Sequence, residues 1–126
     1  MKSTKTSDHQ IDILRGKIAK EMSFEEKVWA VTARIPRGQV ATYGDVAAAL
    51  QCQAYRAVGA ALGRNPFAPD VPCHRVVASS GHLNGFAEGL PKKERMLIAE
   101  GVAVNRQTVN LKALRVKPAV LAGRTR

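Results

Sequence analysis

The sequence predicts a small, mainly α domain: a winged-helix-like helix-turn-helix followed by a short strand or turn that carries Cys73. Three observations lead there. Phe24, Val28, Val31 and Ile35 recur at helical spacing behind a helix-capping sequence. Two short alanine-rich stretches follow, residues 43 to about 50 and about 54 to 64, with only a tight connection between them. Val76-Val77, behind a loop stiffened by Pro66, Pro69 and Pro72, reads as a brief buried strand. At 126 residues, 45% of them hydrophobic, the chain suffices for one packed domain and is too short for two ordinary ones. The organisation expected is an N-terminal extension over 1–22 in which a short helix fits, a central domain over 23–104, and a basic tail over 105–126.

Taken in order, residues 1–7 read as a disordered lead-in. Asp8 is placed to cap a short helix with Ile11, Leu14 and Ile18 inward. Ser23-Phe24-Glu25-Glu26 is a capping box, since the serine oxygen can accept from the N3 amide while Glu26 answers the N-cap amide. The stripe from Phe24 to Ile35 marks the buried face of that helix, and Pro36-Arg37-Gly38 ends it in a turn. Thr42 is the expected N-cap of the next helix, which turns Val46, Ala47 and Leu50 inward. The following helix buries Val58, Ala61 and Leu62. Its small residues Ala57, Gly59, Ala60 and Gly63 leave one side slim, and Arg56 and Arg64 project from it. Asn65-Pro66 stops it, because a residue before proline is pushed out of helical space. Ser79-Ser80-Gly81 reverses the chain after the valines. Pro91 suits the N1 position of a last helix over 92–100, with Leu90, Met96 and Leu97 inward and Gly101 as terminator. Val109 and Leu111 suggest a small strand, and the rest of the tail reads as loose.

Lys and Arg number 20 against 10 Asp and Glu, a formal charge of +10. In so small a domain that excess suits a polyanionic partner, nucleic acid first. Two cysteines, Cys52 and Cys73, form no disulfide framework, and no Cys/His spacing suggests a metal site. The polar start carries no signal-peptide pattern, and no apolar run approaches membrane-spanning length. The expectation is a soluble intracellular protein in a reducing compartment, with no membrane partner.

Pro72-Cys73-His74-Arg75-Val76-Val77 carries the chemistry. A thiol is a weak nucleophile until a base takes its proton, and imidazole is the usual partner. Successive side chains on extended backbone point to opposite faces, so Cys73 and His74 meet only if the chain bends or a water bridges them. A third group must orient the imidazole. Any of the ten acids fits that requirement, and Glu100, at the end of an amphipathic helix, is one candidate. Taken alone, the Cys-His adjacency describes a structural cysteine beside a core histidine more readily than a reactive pair.

The same run resembles the active-site motif of the O6-alkylguanine-DNA alkyltransferases, the methylated-DNA–protein-cysteine methyltransferases. The likeness extends through Ile35-Pro36-Arg37-Gly38-Gln39-Val40-Ala41-Thr42-Tyr43-Gly44, Arg56-Ala57-Val58-Gly59, Asn65-Pro66, Gly89-Leu90 and residues 93–101. It covers about Phe24 to Val104, with its blocks in order.

The resemblance implies repair of DNA by direct reversal. O6-alkylguanine would be flipped out of duplex DNA through the minor groove, and its alkyl group moved irreversibly to Cys73, one transfer per protein molecule, without cofactor or metal. Cys73 would be the acceptor, His74 its base through a water, Glu100 the support of His74, and Asn65 the brace between recognition helix and cysteine loop. Tyr43 would press on the target phosphate or meet the departing guanine, Arg56 would fill the space the base leaves, and the carbonyls of Cys73 and Val76 would read the guanine edge. Thr42, Gly44, Ala54, Ala57, Gly59, Ser79 and Phe86 complete the DNA- and substrate-contacting set it implies. The partner expected is double-stranded DNA containing O6-alkylguanine, met by a monomer in the compartment that holds the chromosome: the cytoplasm, or the nucleus if the cell has one.

The chain departs from the family at three places. Only 23 residues precede Phe24, where most members carry another domain. The loop usually reading Gly-Gly-Tyr is Asn84-Gly85-Phe86, followed by Ala87 and Glu88, which removes a phenol and adds a negative charge. Cys52 falls between the two helices, where it reads as a packed thiol rather than a second acceptor. Two other functions use the same residues. An alkyltransferase-like lesion sensor would bind without efficient transfer, against which Cys73 speaks. A cysteine hydrolase using Cys73, His74 and Glu100 would need an acyl substrate that nothing in the chain suggests.

Overall fold

In the computed structural model, which describes residues 5–86 and 88–123, seven helices surround a two-stranded parallel sheet. The helices are α1 (Lys5–Leu14), α2 (Phe24–Thr32), α3 (Tyr43–Ala49), α4 (Tyr55–Gly63), α5 (Leu90–Ala99), α6 (Leu111–Leu114) and α7 (Pro118–Leu121); the strands are β1 (Ala41–Thr42) and β2 (Val76–Val77). The mainly α architecture and the α3–α4 pair agree with the sequence reading.

Local chemistry accounts for most boundaries. Ser23 and Glu26 form the expected capping box, with Ser23 N–H donating to Glu26 Oε1 at 2.9 Å and Glu26 N–H to Ser23 Oγ at 3.2 Å. Thr42 caps α3 and gains a partner the sequence reading overlooked: Asp45 at N3 accepts from Thr42 N–H at 3.0 Å, a second capping box. Each such cap stabilises its helix by about 1 kcal/mol. Gly101, at φ +88°, terminates α5 as expected.

The paired strands divide the interior. Ala41 pairs with Val76 and Thr42 with Val77. Because successive side chains face opposite ways, Ala41 and Val76 enter a core with Val28, Val31, Ile35, Val46, Val58 and Ala61, while Val40 and Val77 enter a second one with Leu83, Leu97, Val102 and Val109. Trp29 ties α2 to the helix-turn-helix: its indole N–H donates to Ala61 O at 2.8 Å, and its ring meets Phe67 edge-on at 5.8 Å.

Several expectations change. Helix α1 begins before Asp8, so residues 5–7 are helical rather than disordered; residues 1–4 of that expected lead-in lie outside the described residues. Among its described side chains His9 and Ile13 are buried, whereas Ile11 is 60% exposed and Leu14 and Ile18 are exposed as well. Gly16, at φ +72°, ends the turn after α1, so Ile18 never joins the helix and the stripe assumed for it does not exist. Docking on α2 sets the phase instead, with His9 Nδ1 3.1 Å from Glu26 Oε2 in a close contact that lacks hydrogen-bond alignment. Phe24, at the first turn of α2, is exposed rather than buried. Pro91 stands second in α5, behind Leu90 and the N-cap Gly89, and Lys93 takes an inward position expected of an apolar residue.

The segment after Val104 is folded through residue 123, where a loose tail was expected. A hairpin pairs Asn105 with Thr108, Thr108 bridges to His82, and Arg115 pairs beside Val40 on the outer edge of β1. Val116 and Leu121 are buried in the first core. Val109 extends the Thr108–His82 pairing through its amide bond to Gly81 O, but Leu111 starts a helix rather than a strand. Arg115 also makes two bonds to Asp45, at 3.0 and 2.6 Å, which tie the segment to the start of α3. Among the described residues no helix is long and apolar enough to cross a membrane.

Candidate active site

A proline-rich loop delivers Cys73 into a 3-10 turn over Cys73–Arg75. Asn65, at the exit of α4, braces that loop at both ends: its Nδ2 donates to Val71 O at 2.8 Å and its Oδ1 accepts from Phe67 N–H at 2.9 Å. Cys73 N–H then bonds Val71 O at 2.9 Å and Arg75 N–H bonds Pro72 O at 2.9 Å, fixing the turn before β2 begins. This is the bend that an adjacent Cys-His pair requires. It leaves Cys73 half-buried and His74 2% exposed.

His74 Nε2 lies 2.9 Å from Glu100 Oε2, which settles the choice among the acids geometrically. Arg75 grips the same carboxylate from a second side, Nε donating to Oε1 at 2.9 Å and Nη2 to Oε2 at 2.7 Å, while its Nη1 donates to Ile35 O at 2.7 Å. Burial works to raise the Glu100 carboxyl, but the hydrogen bonds from Arg75 and His74, with their charges, hold it below the usual carboxylate range. Burial pushes the His74 imidazole down, and Glu100 only partly offsets that. An ionised carboxylate only accepts, so the proton of neutral His74 sits on Nε2. Its Nδ1 is then a buried lone pair without a hydrogen-bond partner among the described residues.

A cavity of about 480 Å³ opens onto Cys73 where α3, α4, the Asn65 brace, residues 84–86 and Glu88 converge. Tyr43, Arg56, Gly59, Asn65 and Phe86 of the expected set line it, together with Tyr55, Asn84 and Glu88. Glu88, whose charge stood out in the sequence, is paired with Lys92 at the rim. Burial pushes the Tyr43 phenol above its ordinary value; a hydrogen bond with Asn84 opposes the rise and the neighbouring Cys73 adds to it. Arg56 is exposed and enters no ion pair among the described residues, whereas Arg64 on the same helix pairs with Glu25. Ala54 is the N-cap of α4 and, like Ala57, exposed.

Other expected site residues stand apart from the cavity. Thr42 is a buried cap, and Gly44 packs near Tyr55 behind the lining. Ser79 is exposed on the turn beyond β2 and does not line the cavity. Val76 is fully buried, and its carbonyl accepts from Lys93 at 2.7 Å. The Cys73 carbonyl accepts from Val76 N–H.

Lys93 is the residue that the sequence reading most clearly missed. It is 1% exposed, and its Nζ also donates to Leu83 O at 2.6 Å and Gly85 O at 3.2 Å. Its ammonium lies 5.7 Å from the Phe86 ring centroid, a cation–π distance. Burial pushes its pKa down to about 8, while attraction to Cys73 works the other way. The signal was present: a lysine three residues after Leu90 and four before Leu97, on the apolar stripe of an amphipathic helix. Among the described residues no three His, Cys, Asp or Glu side chains group as a metal site requires.

Residues 23–102 match the family described as 6-O-methylguanine DNA methyltransferase, DNA binding domain. The methylated-DNA--protein-cysteine methyltransferase of Methanosarcina mazei is 49% identical over 78 residues, which are 61% of this chain and 49% of that protein. The chain thus spans about half the length of the curated relatives it matches. Among solved structures, S. pombe Atl1 in complex with damaged DNA containing O6-carboxymethylguanine superposes with a TM-score of 0.68 at 30% identity, over 75% of this chain and 95% of Atl1. Mycobacterium tuberculosis OGT in complex with DNA gives a TM-score of 0.61 at 30% identity, over 92% of this chain and 71% of that one.

Proposed function

Because the chain belongs to the 6-O-methylguanine DNA methyltransferase family, matching its DNA-binding domain over residues 23–102, we propose that it repairs O6-alkylguanine in double-stranded DNA by moving the alkyl group onto Cys73. The observation that carries this reading is a half-buried thiol at a cavity of about 480 Å³, beside a buried, neutral histidine held by Glu100. His74 Nδ1 takes the thiol proton through a water. The sulfur attacks the alkyl carbon, an S–C bond forms, the C–O6 bond breaks, and the electron pair leaves on guanine. Guanine is completed by a proton, for which the Tyr43 hydroxyl is the donor at hand. Each protein molecule reacts once, because a thioether offers no low-energy way back, and a single copy suffices.

An O6 substituent lies inside the base stack, so the nucleotide must be extruded. Arg56, exposed and free of an ion pair among the described residues, is suited to occupy the gap from the minor groove, and the slim side of α4 formed by Ala57 and Gly59 allows close approach. The formal charge of +10 supports attraction to phosphate without sequence preference. The likeness to Atl1 in complex with damaged DNA, over 95% of that chain, supports a second reading in which this chain binds the lesion without efficient transfer.

Mass spectrometry of the protein after incubation with a duplex oligonucleotide containing one O6-methylguanine separates the two. One added methyl on the peptide containing Cys73, saturating at one per protein and absent from Cys73→Ala, is the result expected. An unmodified Cys73 together with lesion-selective binding would overturn transfer in favour of lesion recognition alone.

A further inference from the structure

Tyr55 has no part in the roles above. It opens α4, is 52% exposed, and borders the cavity that ends at Cys73. Its ring lies against α3, where a Cβ added at Gly44 would come within 3.6 Å of Tyr55 Cε1. Of the three aromatic side chains around the cavity, Tyr43 and Phe86 are half-buried and Tyr55 alone is exposed, which puts it at the mouth. Single exposed aromatics are ordinary on protein surfaces. This one is set at the entrance of a deep site, one residue before Arg56.

We propose that Tyr55 is a DNA-contacting residue that packs its ring on the deoxyribose of the extruded nucleotide and donates its hydroxyl to the adjoining phosphate. The proposal rests on the alkyl-transfer reading and deepens it. In guanine, O6 and N9 lie at opposite ends of the purine. With O6 brought to Cys73 at the inner end of the cavity, N9 and its sugar are left at the mouth, beside Tyr55. A phenol suits that place, with an apolar face for the sugar and a polar tip for the phosphate. Adjacent positions on a helix are about 100° apart, so Tyr55 and Arg56 address different parts of the DNA. Arg56 serves the gap in the duplex, and Tyr55 serves the nucleotide taken out of it.

That division makes the test specific. Rates of alkylation of Cys73 are measured for the intact chain with O6-methylguanine in duplex DNA, O6-methylguanine in a single-stranded oligonucleotide, and O6-benzylguanine as a free base. For Tyr55→Ala, the ratio of oligonucleotide rate to free-base rate is expected to fall at least tenfold in both the duplex and the single strand. Tyr55→Phe, which keeps the ring, should recover most of the loss. Arg56→Ala should lower the ratio for duplex only. Alanine is the best helix former, and the side chain removed is exposed, so Tyr55→Ala should unfold at the wild-type temperature. Equal rates in wild type and Tyr55→Ala, or an equal fall for oligonucleotide and free base, would overturn the proposal. If the wild type alkylates Cys73 with none of the three, the transfer reading itself has failed. Affinity for a fluorescent single-stranded oligonucleotide then decides for Tyr55: a tenfold loss in Tyr55→Ala sustains the contact, and unchanged affinity removes it.

Discussion

His74 is held between burial, which drives its proton off, and Glu100, which draws it back, and burial prevails. The unfolded chain therefore binds a proton at His74 at a higher pH, near 6.5, than the folded one does. As pH falls below about 6.5 the unfolded state gains protons first, so stability declines with acidification. Glu100, held below the usual carboxylate range, adds a loss in the same direction at lower pH. Lys93 acts at the other end. Its folded pKa of about 8 lies below that of a free lysine, so between the two values the unfolded chain holds the extra proton and stability rises with pH. A series of calorimetric Tm measurements should thus fall from about pH 6.5 downward and gain on going from about pH 8 to about pH 10. Lys93→Met should flatten the alkaline gain, and Glu100→Gln should deepen the loss just below pH 6.5, because nothing then draws the proton back to His74, while removing the further loss that Glu100 adds at lower pH.

At the scale of the element, the hairpin at Asn105–Thr108 is strained where it turns. Arg106 and Gln107 have φ of 55° and 60°, the pattern of a two-residue hairpin turn that favours Asn-Gly. Side chains in that region cost about 1–2 kcal/mol per residue, part of which glycine gives back through its freedom when unfolded. Gln107→Gly keeps the backbone carbonyl that accepts from Leu83 N–H at 2.8 Å. It should raise stability by about 0.5–1 kcal/mol, read as a higher midpoint in urea denaturation. Gly81, on the neighbouring strand edge, is the opposite case. At φ +90° an added Cβ would stand 2.5 Å from Val109 O, so this position admits glycine alone.

Across the whole molecule, the C-terminal segment closes the fold. Val116 and Leu121 complete the core shared by α2, α3 and α4, and Leu114 O and Val116 N–H bond the edge of β1 at Val40, at 2.9 and 2.8 Å. Leu121→Ala should destabilise the chain by about 2–5 kcal/mol, the range for emptying a buried leucine site, as measured by denaturant unfolding. A loose tail would have tolerated it. Six positive charges and no acid after Glu100 made that segment look solvated. Its buried residues are too few and too widely spaced to mark an element by periodicity.

Where chemistry is local, the sequence determined the outcome by itself. The Ser23 and Thr42 caps, the stop at Asn65-Pro66, the α3–α4 pair, the valine strand after the cysteine and the family motif are all written in residues a few positions apart, because caps, turns and amphipathic stripes act over one or two turns of chain. Long-range geometry was left to the tertiary structure. It chose Glu100 among ten acids to hold His74 and set Arg75 on the same carboxylate. It drew Lys93 inward onto three carbonyls, fixed which face of α1 is buried, and brought Tyr55 to the mouth of the cavity. Each of these depends on packing between residues eight or more positions apart, or on a helix's phase against its neighbour, and no pattern within a short window encodes either.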